Sequence, residues 1–375
     1  MNSAYDLIVV GGGPAGTATA ILCARQGARV LILERSHFPR HKVCGEFVSA
    51  ESLGLLSELL NSKNAHLLRD ALLIPHARVF LDGHVLEAPI KPAAFSIARF
   101  DLDAALWSAA EHAGVEVRDH VTVKSITGAG PFTVSSSLGE HLARAIVNAS
   151  GRWSNLNAEP ARNGKSPTKW IGLKAHFAEA APPASVDLYF FDGGYCGVQP
   201  VSLTGRADEP RINACAMVRA DVATTVPGML SLHPALQERA LRWQPLSDPV
   251  SVGPLLFRKP QPESHGVLRV GDAAAFVDPF VGDGISLALS SGALAAECLS
   301  PVFAGNTDIR EAARLYTTEY HRQLTPVFQT SSRIRHLLRL PRALRLLILL
   351  VLENTPATTR HLVNSTRTQP LVRCA

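Results

Sequence analysis

Residues 5–34, YDLIVVGGGPAGTATAILCARQGARVLILE, decide the fold. Residues 6–10 are a short apolar run with β-branched side chains. Residues 11–16 read Gly-Gly-Gly-Pro-Ala-Gly, and a small-residue stretch with helical spacing runs on to Gln26 before Gly27 stops it. Residues 29–33 are a second strand pattern ending in Glu34. The order is strand, glycine-rich turn, helix, strand, with G-x-G-x-x-G at the turn. Each position has a physical task. Gly11 permits a tight turn, Gly13 lets the backbone approach a pyrophosphate, and Gly16 lets helix and strand pack closely. Pro14 and Ala15 open the helix, whose free N–H groups and dipole face that anion. Glu34 can accept hydrogen bonds from both hydroxyls of an adenosine ribose, and its charge repels a 2′-phosphate. A lone glycine motif is weak, but here strand, helix and acid all fall in place. The segment is expected to hold an adenine dinucleotide without the 2′-phosphate.

The rest of the chain fits that start. Its 375 residues are 46% hydrophobic and 18% charged, which excludes a disordered or collagen-like chain and allows a large α/β body with a smaller partner. The formal charge of +5 is unevenly placed. Residues 331–375 hold eight arginines (Arg333, Arg335, Arg339, Arg342, Arg345, Arg360, Arg367 and Arg373) against one acid, Glu353, so this tail stands at +7 and the remainder at −2. A near-neutral body with a basic tail is not a general polyanion binder, and no nucleic-acid partner is expected. Six cysteines (Cys23, Cys44, Cys196, Cys215, Cys298 and Cys374) lack C-x-x-C spacing, and MNSAYDLIVV reads as a first strand rather than a leader. Free thiols in a reducing, cytoplasmic compartment are expected. The longest apolar run, residues 346–352, has seven residues, against the roughly 20 that span a bilayer, so no transmembrane helix is expected.

Downstream the regular alternation stops. Residues 76–98 predict short strands around the Asp82-Gly83 turn, and residues 101–114 predict a helix with Asp101 as its cap and Gly114 as its stop. Strands are expected at 115–117, 121–126, 133–137 and 144–149. A hairpin-linked set follows at 170–178, 186–191, 196–200, 212–218 and 252–258, with a helical segment at 234–243. Strands without intervening helices point to antiparallel sheet. Two domains are therefore interleaved. Residues 1–75, 99–160 and 261–300 form the dinucleotide-binding domain, residues 76–98 and 161–260 an antiparallel-sheet substrate domain, and residues 301–375 a basic helical segment.

Residues 267–292, VLRVGDAAAFVDPFVGDGISLALSSG, indicate which dinucleotide. A strand ending in Gly271-Asp272 places a carboxylate at a strand edge, where it can bind a polyol chain. Pro279, Gly282 and Gly284 form a loop that lets backbone come close to a planar ring, and the helix that follows points its N-terminus at that ring. Such an N-terminus stabilises the negative charge that reduction places near N1 and O2 of a flavin, by roughly 0.5–2 kcal/mol. The expected cofactor is FAD. Asp283, at this helix start, reads as its cap.

With these motifs the chain resembles a known family. Gly11 to Gly16 with Glu34, then Arg99 in ARFDLDAALWSAAEHAGVEV, then Asn148-Ala149-Ser150-Gly151-Arg152-Trp153-Ser154, and finally Gly271-Asp272 before two alanines are similar to the FAD-dependent monooxygenase and geranylgeranyl reductase superfamily. Its members share the fold of para-hydroxybenzoate hydroxylase, and the likeness covers about residues 5–300. It implies an α/β fold (α+β overall), with a Rossmann-like FAD-binding domain of glutathione reductase type interleaved with an antiparallel-sheet substrate domain, plus C-terminal helices. It places Glu34 on the adenosine ribose, Arg99 near the pyrophosphate and ribityl chain, and Asp272 on the ribityl. Further cofactor contacts are expected from Arg35, Arg40, Cys44, Gly45, Val123, Ala149, Ser150, Gly151, Pro279, Gly282, Asp283, Gly284 and Ile285. The family lacks a separate nicotinamide domain, so NAD(P)H binding transiently, or a separate reductase, would reduce the flavin.

Residues 40–46, RHKVCGE, and the DPFVGDGI loop resemble the geranylgeranyl reductase branch, which carries a cysteine beside the flavin. A thiol there can donate a proton to a carbon receiving hydride from N5, or simply line the pocket, and both readings stay open for Cys44. Residues 193–200, GGYCGVQP, match the place of the family's Tyr-x-Trp-x-Phe-Pro strand, with Gly197 for the tryptophan and Gln199 for the phenylalanine. That departure widens the pocket for a differently shaped substrate. The candidate catalytic residues are Cys44, Tyr195, Gln199 and Pro279. The tryptophan-rich strand and pocket lysine of flavin halogenases are missing, so halogenation is not expected.

Two reactions follow. The first is reduction of a C=C bond in a small hydrophobic molecule (isoprenoid, polyketide or aromatic) by hydride from reduced FAD. The alternative is monooxygenation of an aromatic or polyketide-like ring through oxygen added at flavin C4a. His37 and His41 flank Pro39 without an H-E-x-x-H pattern, and no metal site is expected. In the tail, Arg335, Arg339, Arg342 and Arg345 share one helical face opposite Ile334, Leu337, Leu338, Leu344 and Ile348, with Pro341 as a kink. Such a segment either packs its apolar face on the FAD domain with arginines in water, or contacts the inner face of a membrane peripherally.

Overall fold

In the computed structural model, residues 4–152, 156, 169–204, 209–338, 340–355 and 367–368 are described. Trp153, Ser154, Cys374 and the domain border at residue 160 lie outside them. The first strand, Tyr5–Val10, is buried at five of its six positions, as a strand covered on both faces requires. It pairs in parallel with Val30–Leu33 on one side and Gly139–Asn148 on the other. Glu116–Arg118 and Val267–Arg269 extend the parallel set. The hairpin of Val123–Gly128 and Phe132–Ser136 adds antiparallel strands beside Gly139–Asn148, and Glu263–Ser264 pairs antiparallel with Val267–Arg269, giving eight strands among the described residues.

Two small-residue helices cover one face. Pro14–Arg25 packs on Gly284–Phe303 so closely that a Cβ on Gly292 would lie 2.3 Å from the carbonyl oxygen of Ala15, and Thr19 Oγ1 donates to the Gly292 carbonyl at 2.9 Å. By length and composition Gly284–Phe303 could cross a membrane, contrary to the reading from apolar runs alone. It is instead a core helix, 78% buried within the protein.

The second sheet has nine strands among the described residues, in the order Gln244–Pro245, Trp170–Ala178, Arg211–Arg219, Gly194–Pro200, Ser185–Phe191, Leu72–Leu81, His84–Ser96 and Phe47–Val48, with Val250–Leu255 also beside Trp170–Ala178. It is antiparallel except where Ser185–Phe191 runs parallel to Leu72–Leu81. Phe47–Val48 and the start of Leu72–Leu81 belong to this sheet, so it reaches into residues 1–75. Asp82 and Gly83, both at positive φ (54° and 89°), make the two-residue hairpin turn.

Two local expectations fail for physical reasons. The helix Arg99–His112 has Ala98 at its N-cap, so Asp101 lies inside the first turn, where its carboxylate accepts from Thr204 N at 3.0 Å instead of capping. In the tail, Thr325–Leu338 and Arg342–Asn354 are separate helices, so no single arginine face persists. Arg335 Nη1 lies 3.7 Å from Asp278 Oδ2, with its guanidinium 4.1 Å from the centre of the Phe257 ring, and Arg345 pairs with Asp82. Those two cations hold the tail to the body instead of standing in water. Arg339 lies outside the described residues.

Candidate functional site

The two sheets and the tail enclose a cavity of about 570 Å³. One wall is the glycine turn. Gly11 must be glycine on two counts, its positive φ of 109° and the Ala149 carbonyl oxygen 2.4 Å from where a Cβ would stand. Gly16 has a Cβ position 2.0 Å from the Gly11 oxygen, so its task is packing, and it does not line the cavity. Gly13, Gly45 and Gly284 do line it and have nothing within 4 Å of their Cβ positions, so the open space is on the cavity side. A cradle of bare backbone at the starts of two helices is what a dinucleotide pyrophosphate and a flat ring require.

Glu34 stands at the end of Val30–Leu33 with its carboxylate already oriented. Its Oε2 accepts from Gly12 N at 2.8 Å and its Oε1 from Ser36 N at 2.9 Å, which leaves outward lone pairs for a ribose diol. Arg40 Nη2 is 3.8 Å from Glu34 Oε2, and Arg35 and Arg40 line the same end. Val123, Ala149, Ser150, Gly151, Gly271, Asp272, Pro14 and Ala15 continue the wall, with Pro279, Gly282 and Ile285 at the opposite side. Asp272 Oδ2 meets Arg152 Nε at 3.2 Å, and Arg152 in turn lies 4.0 Å over Phe276. These residues fit FAD. Asp283 does not reach the wall. It is fully buried and makes no cap bond; its carboxylate accepts from Ser49 Oγ at 2.8 Å and from Thr368 N at 2.7 Å.

Cys44 lies on the loop before Phe47–Val48, in the cavity wall. The loop is pinned from several sides. Asn213 Nδ2 donates to the Cys44 carbonyl at 2.9 Å, and Glu46, at a positive φ of 63°, is fully buried. Glu46 accepts from Arg99 N at 2.9 Å and from Lys174 on one oxygen, and hydrogen-bonds the His176 ring at 2.8 Å on the other. Burial raises the Glu46 carboxyl, but Lys174 and His176 outweigh it and hold it down at about 2. The Arg99 side chain grips Asp103 at 2.6 and 2.7 Å. Burial pushes that guanidinium down, but Asp103 and the neighbouring Cys44 sulfur hold it above its ordinary value. Arg99 and Cys44 both line the cavity, and the Cys44 sulfur accepts from Glu46 N at 3.3 Å. Cys215, also in the wall, has its thiol pushed up to about 12 by burial and then by Cys44.

Strand Gly194–Pro200 alternates, so Tyr195, Gly197 and Gln199 face the cavity while Cys196 and Val198 face the other side. Among the described residues Tyr195 Oη and Gln199 Oε1 are buried without a hydrogen-bond partner, whereas Gln199 Nε2 donates to Ser96 Oγ at 2.7 Å. A buried unsatisfied donor and acceptor facing one cavity ask for a polar ligand group. Beyond them the cavity becomes apolar, between Val79, Leu81, Leu86 and Ile90 of the long hairpin and Ile334, Leu338 and Ile348 of the tail. Sequence reasoning missed that roof and the Glu46–Lys174–His176 cluster. Both depend on contacts across more than 100 residues, and only Glu46, inside RHKVCGE, had a local signal.

Residues 6–39 match the model of a family described as FAD dependent oxidoreductase. The chain is 25% identical to conditioned medium factor receptor 1 of Dictyostelium discoideum over 80% of its own length, and it spans 64% of that relative. It is 25% identical to menaquinone reductase of Mycobacterium tuberculosis (strain ATCC 25618 / H37Rv), covering 92% of this chain and 86% of that one. It is also 25% identical to digeranylgeranylglycerophospholipid reductase of Methanococcus vannielii, covering 85% and 83%. Among solved structures, the flavin-dependent brominase Bmp2 superposes with a TM-score of 0.79 at 21% identity, over 97% of this chain and 93% of that one, which shows a shared fold. The family match, the relatives and the shared fold together support a likeness to FAD-dependent oxidoreductases, whose cofactor the cradle fits.

Proposed function

We propose that this protein reduces a C=C bond in an apolar molecule carrying a polar ring or head, with a nicotinamide as the electron source. The observation that carries this reading is Cys44, which lines the cavity together with Arg99 in a wall that continues into an apolar chamber. When bound and reduced by the nicotinamide, FAD would supply the hydride to one carbon of the double bond. Cys44 then supplies the proton to the other carbon, and the Arg99 cation stabilises the thiolate left behind until water returns its proton. Arg99 is kept in place by Asp103, and the loop bearing the thiol by Glu46. Tyr195 Oη and Gln199 Oε1 offer a donor and an acceptor to the polar end of the substrate. The relatives named as menaquinone reductase and digeranylgeranylglycerophospholipid reductase support this class of substrate.

The test is anaerobic. Photoreduced holoprotein is mixed with prenylated quinones and unsaturated prenyl lipids, and the return of the oxidised flavin absorbance is followed. Substrate-dependent reoxidation is expected, with Cys44→Ala slowing it by about 10²-fold or more at unchanged FAD content. The second reading, monooxygenation, is favoured by the unsatisfied Tyr195 and Gln199 atoms, which also suit a phenolic ring. Under that reading substrate leaves the anaerobic protein reduced and is consumed only when air is admitted.

A further inference from the structure

The helix Arg342–Asn354 turns one side inward and another out. Inward, Ile348 lines the cavity and Arg345 is fixed on Asp82 at 2.7 Å, which sets the helix's orientation on the body. Outward, Leu344, Leu347 and Val351 are 49%, 59% and 52% exposed. Their spacing puts them on one helical stripe. A large apolar stripe left open to water is characteristic of an interaction surface. Leu337, on the preceding helix, is 41% exposed and lines the cavity as well, so apolar surface runs from the outside to the interior.

We infer that this outer face docks on an anionic lipid bilayer and brings the mouth of the cavity to the lipid. Charge selects that occupant. Arg333 and His336 are exposed, and Glu353 is the one acid in residues 331–375, while Arg342, 69% exposed, is turned to Asp82 on the body side at 3.9 Å. An anionic surface is attracted by such a set, whereas a second copy of this chain would bring two basic tails against each other. Apolar side chains in the acyl boundary with arginines at the headgroups form an interfacial arrangement. The docking rests on this surface alone, and a substrate drawn from the bilayer is the reason the open path through Leu337 matters to the reading above.

The experiment is co-sedimentation of full-length holoprotein with phosphatidylcholine vesicles, with and without phosphatidylglycerol. Binding to the anionic vesicles at least tenfold tighter than to neutral ones is expected, weakening as salt rises. Leu344→Ser with Leu347→Ser lowers the partition about tenfold while bound FAD and circular dichroism stay unchanged. Leu347→Trp, which keeps the face apolar, gains emission that brominated acyl chains quench. Equal sedimentation of wild type and double variant, or no quenching of the added tryptophan, overturns the inference. Sedimentation velocity showing a dimer that the double variant dissolves assigns the face to a second copy and overturns it too. Reduction of detergent-dispersed substrate is unaffected by the double variant, so loss of docking and loss of the proposed reaction read separately.

Discussion

Arg345 holds Asp82 in a bidentate pair, with Nη2–Oδ1 and Nε–Oδ2 both 2.7 Å. One residue belongs to a helix late in the chain and lines the cavity, the other to a hairpin turn more than 260 positions earlier, so the pair ties the cavity's apolar roof to the hairpin. The Arg345 side chain is 23% exposed and that of Asp82 12%, so solvent screens the pair only in part.

Breaking this clasp loosens the roof. Asp82→Asn keeps the positive φ that asparagine tolerates, and Arg345→Gln keeps most of the side chain's bulk. A double-mutant cycle in denaturant is expected to give a coupling of about 1 kcal/mol. Hydrogen exchange over residues 342–354 should accelerate in either single variant. Additive effects and unchanged exchange would show that the helix is held by packing alone.

Tyr195→Phe separates binding from stability. Among the described residues the lost hydroxyl has no partner, so the variant folds at least as stably as wild type, gaining up to about 1–3 kcal/mol by relief of an unsatisfied group. Substrate affinity falls in the same variant. A drop in melting temperature with unchanged KM would mean that the hydroxyl serves the fold and not the ligand.

Glu46 gives the protein an acid limit. Its folded value of about 2 lies below the ordinary 4.5, so its contribution is complete above about pH 4.5 and is lost as pH falls toward 2. Glu46→Gln leaves Lys174 buried without its counter-charge and is expected to cost about 3–5 kcal/mol, most of which Lys174→Met restores. Urea titrations across the acid range check this. The double variant should lose the part of the acid-induced slope that Glu46 contributes, and a slope identical to wild type would contradict it.

One added methyl group distinguishes the tasks of Gly13 and Gly16. Gly13→Ala places a Cβ in open cavity at an ordinary φ of −75°, so the apoprotein keeps its stability while FAD affinity drops by about tenfold or more. Gly16→Ala drives a Cβ into the Gly11 carbonyl and lowers stability itself. Calorimetry of both apoproteins, with flavin fluorescence titrations, separates the two effects.

Much of this site was legible because its signals are local. The turn of Gly11 to Gly16, Glu34 at a strand end and the Gly271-Asp272 motif each need only neighbours in sequence, and apart from Gly12 and Gly16 these residues line the cavity. The alternation that turns Tyr195 and Gln199 inward is likewise a property of one strand. Asp101 misled as a helix cap, and Asp283 holds the N-cap position without a side-chain cap bond, because cap propensity says nothing about Thr204 or Thr368 arriving from distant segments to occupy their carboxylates. The tail misled for a related reason. Helical spacing put four arginines on one face, but the break at Pro341 and two distant partners, Asp82 in its hairpin turn and the Phe257 ring, redirected Arg345 and Arg335 toward the body.

The fate of the hydride separates reduction from oxygenation. A single turnover of reduced holoprotein with a prenylated substrate, run once without oxygen and once under isotopically heavy O2, is read by the mass of the product. Reduction gives a product heavier by two hydrogens in both runs, with no heavy oxygen incorporated. A product formed only under O2 and carrying one heavy oxygen atom would contradict it.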